Sequence, residues 1–66
     1  MNPITTETPY TIAVRIGQQH KDEDVRFMVE QANSFFLKDN DAEHKKWKNA
    51  VIEHVKKTYP NDWYRL

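Results

Sequence analysis

Between Tyr10 and Ile16 the chain alternates, with Tyr10, Ile12, Val14 and Ile16 on one side and Thr11, Ala13 and Arg15 on the other. A period of two with β-branched residues on one side predicts a strand with one buried face. A lone strand leaves its peptide groups unpaired. The pattern therefore calls for a partner strand, either from residues 2 to 8 or from a second copy of the chain. Beyond Gly17 the period becomes helical: Val25, Met28, Val29, Ala32, Phe35 and Phe36 share one stripe and predict a helix from about Asp22 to Leu37. Trp47, Val51, Val55 and Tyr59, flanked by Ala50 and Ile52 with His44 near the centre, predict a second helix starting near Asp41.

The punctuation between these stretches fits. Gly17, the only glycine, stands where the strand would end and a turn is needed. Asp22, Glu23 and Asp24 fall in the first turn of the first helix, where carboxylates offset the helix dipole, and Asp22 is spaced to pair with Arg26. Lys38-Asp39-Asn40-Asp41 breaks the pattern, and Asn40 followed by Glu43 resembles a capping box. Asp41 to Lys45 and Glu53 to Lys57 are spaced as ion pairs, Lys56 and Lys57 suit a C-terminal turn, and Pro60 ends the helix. Residues 1 to 9, with two prolines and three threonines, read as a flexible arm in which Ile4 to Glu7 is a candidate edge strand. The tail from Asn61 to Leu66 is aromatic and is expected to fold back on the core or on a partner. The predicted class is α+β: a small strand-helix-helix domain over residues 10 to 66, dimeric through strand pairing.

Length sharpens the case for a dimer. A domain of 66 residues buries only about 60% of the surface its unfolded chain exposes. Small folds are commonly supported by disulfides, a structural metal or oligomerisation. Cysteine is absent, which removes disulfides and thiolate zinc sites. Ten Lys and Arg balance ten Asp and Glu, so no global field draws the chain to nucleic acid or an anionic membrane. No signal-peptide pattern and no membrane-length apolar run is present. A soluble, cytoplasmic protein is expected.

Candidate chemistry is sparse. His20, His44 and His54 are not spaced to share a metal from one helix face, and three consecutive carboxylates at 22 to 24 point in different directions. The only serine is Ser34 on a helix side, and nothing supplies a strained nucleophile turn or an oxyanion hole. Neither an enzyme nor a cofactor is expected. The lysines opposite the second stripe read as a solvated face. Phe27 lies on the polar side of the first helix, roughly opposite Val25 at about 100° per residue. With Trp63 and Tyr64 of the tail it is a candidate contact for another protein.

One strand with a Thr-Ile-Ala-Val-Arg core followed by two helices resembles the ribbon-helix-helix family of dimeric DNA-binding regulators. The resemblance implies that two strands pair into a ribbon presenting Thr11, Ala13 and Arg15 to the DNA major groove, with Ile12 and Val14 in the dimer core. It also implies a phosphate near Asp41 and Ala42 at the start of the second helix. The turn Lys38-Asp39-Asn40-Asp41 departs from the family's Gly- and Ser-containing turn, and its acids would repel a phosphate. Two functions follow. The first is a non-enzymatic protein-binding modulator or inhibitor, antitoxin-like or phage-type, acting through the strand edge and through Phe27, Trp63 and Tyr64. The second is a ribbon-helix-helix-like regulator contacting DNA through Thr11, Ala13 and Arg15.

Overall fold

The structure, a computed structural model, describes residues 8 to 64. Among these residues all regular structure is helical: α1 Pro9–Gln19, α2 Glu23–Leu37, α3 Asp41–Thr58 and α4 Pro60–Tyr64. The expected α+β class and the strand at Tyr10 to Ile16 are therefore corrected, and the ribbon-helix-helix resemblance falls with them, because that family is built on the strand. The pairing on which the expected dimer rested is gone as well. Ile4 to Glu7 and the rest of the arm before Thr8 lie outside the described residues, as do Arg65 and Leu66.

The reason is visible in α1. Thr8 is an N-cap whose hydroxyl accepts from the Thr11 amide at 3.2 Å, and Pro9 occupies the first turn. At this position proline's missing N–H costs nothing and its fixed φ suits the helix. Wound into a helix, Tyr10, Ala13, Val14 and Gly17 fall at i, i+3, i+4 and i+7, with Ile12 and Ile16 alongside, while Thr11, Arg15 and Gln18 form a polar stripe. Ala13 and Gly17 count as polar and turn positions in a strand reading. In the folded chain both are buried.

The core is made of small side chains: Ala13, Ile16, Val25, Val51 and Val55 form one cluster, bordered by Met28, Ile52, Tyr59 and Trp63, and Ala32 is buried as well. Helices α2 and α3 run antiparallel, since Asp22 meets His54 at one end and Ala32 meets His44 at the other. Helix α1 packs chiefly on α3. It touches α2 closely at Gly17, where a Cβ would lie 2.5 Å from Val25 Cγ1 and 2.8 Å from Val25 Cβ. The glycine is thus not a turn residue but the point where two helices meet. The aromatic tail does fold back, as α4, with Trp63 against the core and the Lys56 ammonium 5.8 Å from its ring centroid.

The connections on either side of α2 use one device. After α1, the Lys21 amide donates to Gln18 O and the Asp22 amide to Gly17 O; after α2, the Asp39 amide donates to Phe36 O and the Asn40 amide to Phe35 O. This is the Schellman pattern, with Lys21 at φ 54° and Asp39 at φ 58° in the left-handed position usually held by glycine. The residue that completes each motif, Asp22 or Asn40, is also the N-cap of the next helix. Each turn is therefore only three residues long.

Two stability predictions follow from these contacts. Gly17→Ala is expected to destabilise the protein by about 1–3 kcal/mol, because Val25 is buried and stiff at χ1 and the overlap outweighs a helix-propensity gain of about 1 kcal/mol. A urea midpoint at or above that of the parent chain would show that α1 and α2 separate freely. Asp39→Gly is expected to stabilise by about 0.5–1 kcal/mol by relieving a left-handed L-residue. A lowered midpoint would mean that the Asp39 side chain has a role of its own.

Candidate functional site

Among the described residues, functional groups gather in two places: a polar cluster where α1, α2, α3 and α4 meet, and an open groove between α1 and α2.

The polar cluster centres on Asp22. Its Oδ1 accepts from the amides of Asp24 and Val25 at 2.8 and 3.2 Å, as an N-cap does. Its Oδ2 accepts from the Tyr59 hydroxyl at 2.6 Å and from His54 Nε2 at 2.9 Å. Burial works to raise the pKa of this carboxyl, but the bonds from Tyr59, His54 and the Val25 amide outweigh it and hold the group at about 2. Tyr59 is pushed up to about 12, first by its bond to Asp22, then by burial and the neighbouring carboxylates of Asp22, Asp24 and Asp62. The Tyr59 ring also stacks on His20 with centroids 4.0 Å apart, and His20 Nε2 donates to Asp62 at 2.6 Å. His44 Nδ1 donates to Ala32 O at 2.7 Å. All three histidines thus tie one element to another. Arg26, spaced for Asp22, instead lies 3.6 Å from Glu30.

Asp22, Asp24 and His54 place one donor atom each within 4.8 Å of one another. Asp22 already accepts four hydrogen bonds, and His54 Nε2 carries the proton that it gives to Asp22. Metal binding here would have to dismantle the cap of α2, so the cluster is a structural joint.

The groove has a different character. Its base is Val14, Gly17, Val25 and Val29, and its volume is about 440 Å³. A further 380 Å³ continues past Val14, Gln18 and Val29 to Tyr10 and Asn33. Because α1 lays Ala13 and Ile16 on α3, it leaves α2 beyond Gly17, and Val14 and Val29 remain only half-buried. The rim is polar: Thr11, Arg15 and Gln18 along α1, Lys21 in the turn that follows it, and Glu23, Arg26 and Glu30 along α2. An apolar floor with a polar edge is the usual make-up of a binding groove.

The residues singled out in the sequence are scattered over this frame. Phe27 is 54% exposed and sits edge-on to Trp47, with ring centroids 5.9 Å apart and an interplanar angle of 83°. The indole Nε1 of Trp47 is buried without a hydrogen-bond partner. Tyr64 is exposed and Trp63 is half-buried against the core; neither lines the groove. Thr11 and Arg15 lie on the groove rim, while Ala13 is fully buried on another face of α1. The three do not form one surface. Sequence reasoning missed Val14, Gln18, Lys21, Val29 and Glu30 as a group. The signal was the Thr11, Arg15, Gln18 spacing beside Val14, legible once residues 9 to 19 are wound as a helix. No helix among the described residues is long and apolar enough to cross a membrane.

No protein family matches the chain, and comparison with curated proteins and with solved structures returns no match.

The joint makes a pH prediction. A carboxyl that titrates at about 2 when folded and at 3.8 when unfolded contributes stability that is complete above about pH 4 and is lost as the pH falls through 2, roughly 2 kcal/mol in all. Asp22→Asn keeps a capping oxygen but turns an amide donor toward Tyr59 or His54, so it is expected to cost about 2–3 kcal/mol near neutrality. Denaturant titrations between about pH 5 and pH 2 should show the parent chain losing about 2 kcal/mol more than the variant. Parallel losses in the two proteins would show that Asp22 is not the group responsible.

Proposed function

We propose that this chain is a non-enzymatic binding module that takes an apolar segment of another protein into the α1–α2 groove. The observation that carries the reading is the open, valine-floored groove beside a closed core. With few large side chains buried among the described residues, leaving Val14 and Val29 half-covered forgoes roughly half of the 1.5–3 kcal/mol that full burial gives per side chain, which a partner would recover. The best-developed polar cluster supports binding over catalysis. Its carboxyl and its phenol are shifted away from neutrality, to about 2 and about 12, whereas acid–base catalysis calls for groups poised near it. The recognition mode that suits such a groove is a helix laid between two helices. Phe27 and Tyr64 stand outside this surface, so the proposed contact moves from the exposed aromatics to the groove.

A photo-crosslinking side chain at Gln18, on the rim, and another at Lys57, on α3, test the proposal in cells. The expected result is an adduct with a protein of discrete mass at position 18, absent at 57 and lost when Val29→Asp is added with the fold intact by circular dichroism. Equal labelling at both positions, or adducts that survive Val29→Asp, would overturn it.

A further inference from the structure

We infer that the occupant of the groove is an amphipathic helix from a different protein, about three turns long, acidic on the edge beside Lys21 and basic on the edge beside α2; this rests on the binding reading above. Length comes first. The 11 residues of α1 make one wall of the groove, and at 1.5 Å per residue they give a wall of about 16 Å, or three turns of helix. Shape comes next. The groove is concave, so a second copy cannot fill it with the same surface. A copy entering with another face would make a head-to-tail contact, which builds a ring or a filament rather than the two-fold dimer commonest among small oligomers. A convex rod is what fits.

Charge then fixes the orientation. The α1 side carries Lys21 at the closed end of the groove, while the α2 side carries Glu23 and Glu30. These glutamates are seven residues, or two turns, apart on one helix. Arg26 between them is drawn onto Glu30 at 3.6 Å. A partner helix with Lys or Arg at i and i+7 on one edge, an acidic residue on the other, and apolar residues at i, i+3 or i+4 and i+7 between them would satisfy floor and rim together.

Three synthetic peptides of about four turns test this. One carries a leucine stripe with the proposed edges, the second has the two edges exchanged, and the third has the leucines replaced by glutamine. Binding is followed by calorimetry and by shifts of the Val14 and Val29 methyl resonances. The matched peptide is expected to move both methyls and to bind about tenfold more tightly than the exchanged one at low salt, the sum of a few exposed pairs. The ratio should approach one in about 0.5 M salt and in Glu23→Gln/Glu30→Gln. Gln18→Trp, which fills the groove from an exposed position, should weaken both leucine peptides. Equal binding of the matched and exchanged peptides at low salt would overturn the charge assignment and leave the groove reading standing. If neither moves Val14 or Val29, both fall. A free protein that light scattering shows to be a dimer, and that Val29→Asp converts to a monomer, would assign the groove to a second copy and overturn the inference.

Discussion

Asp22 ties three helices together directly, and the fourth is fastened through its neighbours. Its backbone amide closes the last turn of α1 on Gly17 O, its Oδ1 caps α2, and its Oδ2 receives His54 from within α3 and Tyr59 from the end of α3. Helix α4 begins one residue after Tyr59 and is fastened by Asp62 to His20, which stacks on the Tyr59 ring. The arrangement requires an ionised acceptor, because a protonated carboxyl or an amide would present a donor to at least one of two groups that are themselves donors. A core of alanine, valine and isoleucine supplies little apolar area per residue, and a domain of this size has a low buried fraction to begin with. Directional bonds at one joint thus carry a larger share of the fold's specificity than they would in a bigger protein.

The same economy shapes the backbone. The single glycine could have relaxed either left-handed turn, at Lys21 or at Asp39, yet it stands inside α1. A mid-helix glycine costs about 0.5–1 kcal/mol relative to alanine. What this position gains is close approach: Val25 packs on the bare backbone at Gly17, which a Cβ would block. Close contact at this point brings the start of α2, and with it Asp22, within reach of α3. The two strained turns are tolerated because each is completed by a residue that also caps the following helix.

Helices α2 and α3 are legible in the sequence almost to the residue, since long apolar stripes, the Asp22 and Asn40 caps and Pro60 all agree. Helix α1 is not. Its apolar arc is so wide that it satisfies a period of two as well as a helical period, and β-branched residues tip the balance the wrong way. The Thr8-Pro9 pair was the local cue for a helix start. The groove was not visible: the sequence singles out Thr11 and Arg15 for a DNA-facing strand, and their place on a groove edge follows only from winding residues 9 to 19 as a helix. The joint was invisible because its partners are remote, with His54 32 residues from Asp22 and Asp62 42 residues from His20. Spacing rules within one helix cannot find such pairs.

The breadth of that arc also accounts for the groove. Helix α3 covers only one side of α1, where Ala13 and Ile16 meet Val51 and Val55, and the remaining edge at Tyr10 and Val14 turns toward Val29 of α2 without closing on it. Gly17 and Val25 pin the two helices at one end, and the open space between them continues to Tyr10 and Asn33. Every bond of Asp22 lies at the pinned end. An occupant entering from the open end therefore meets Val14 and Val29 first, and the two sets of residues overlap only at the pinned end, where Gly17, Asp22 and Val25 both hold the fold and line the groove.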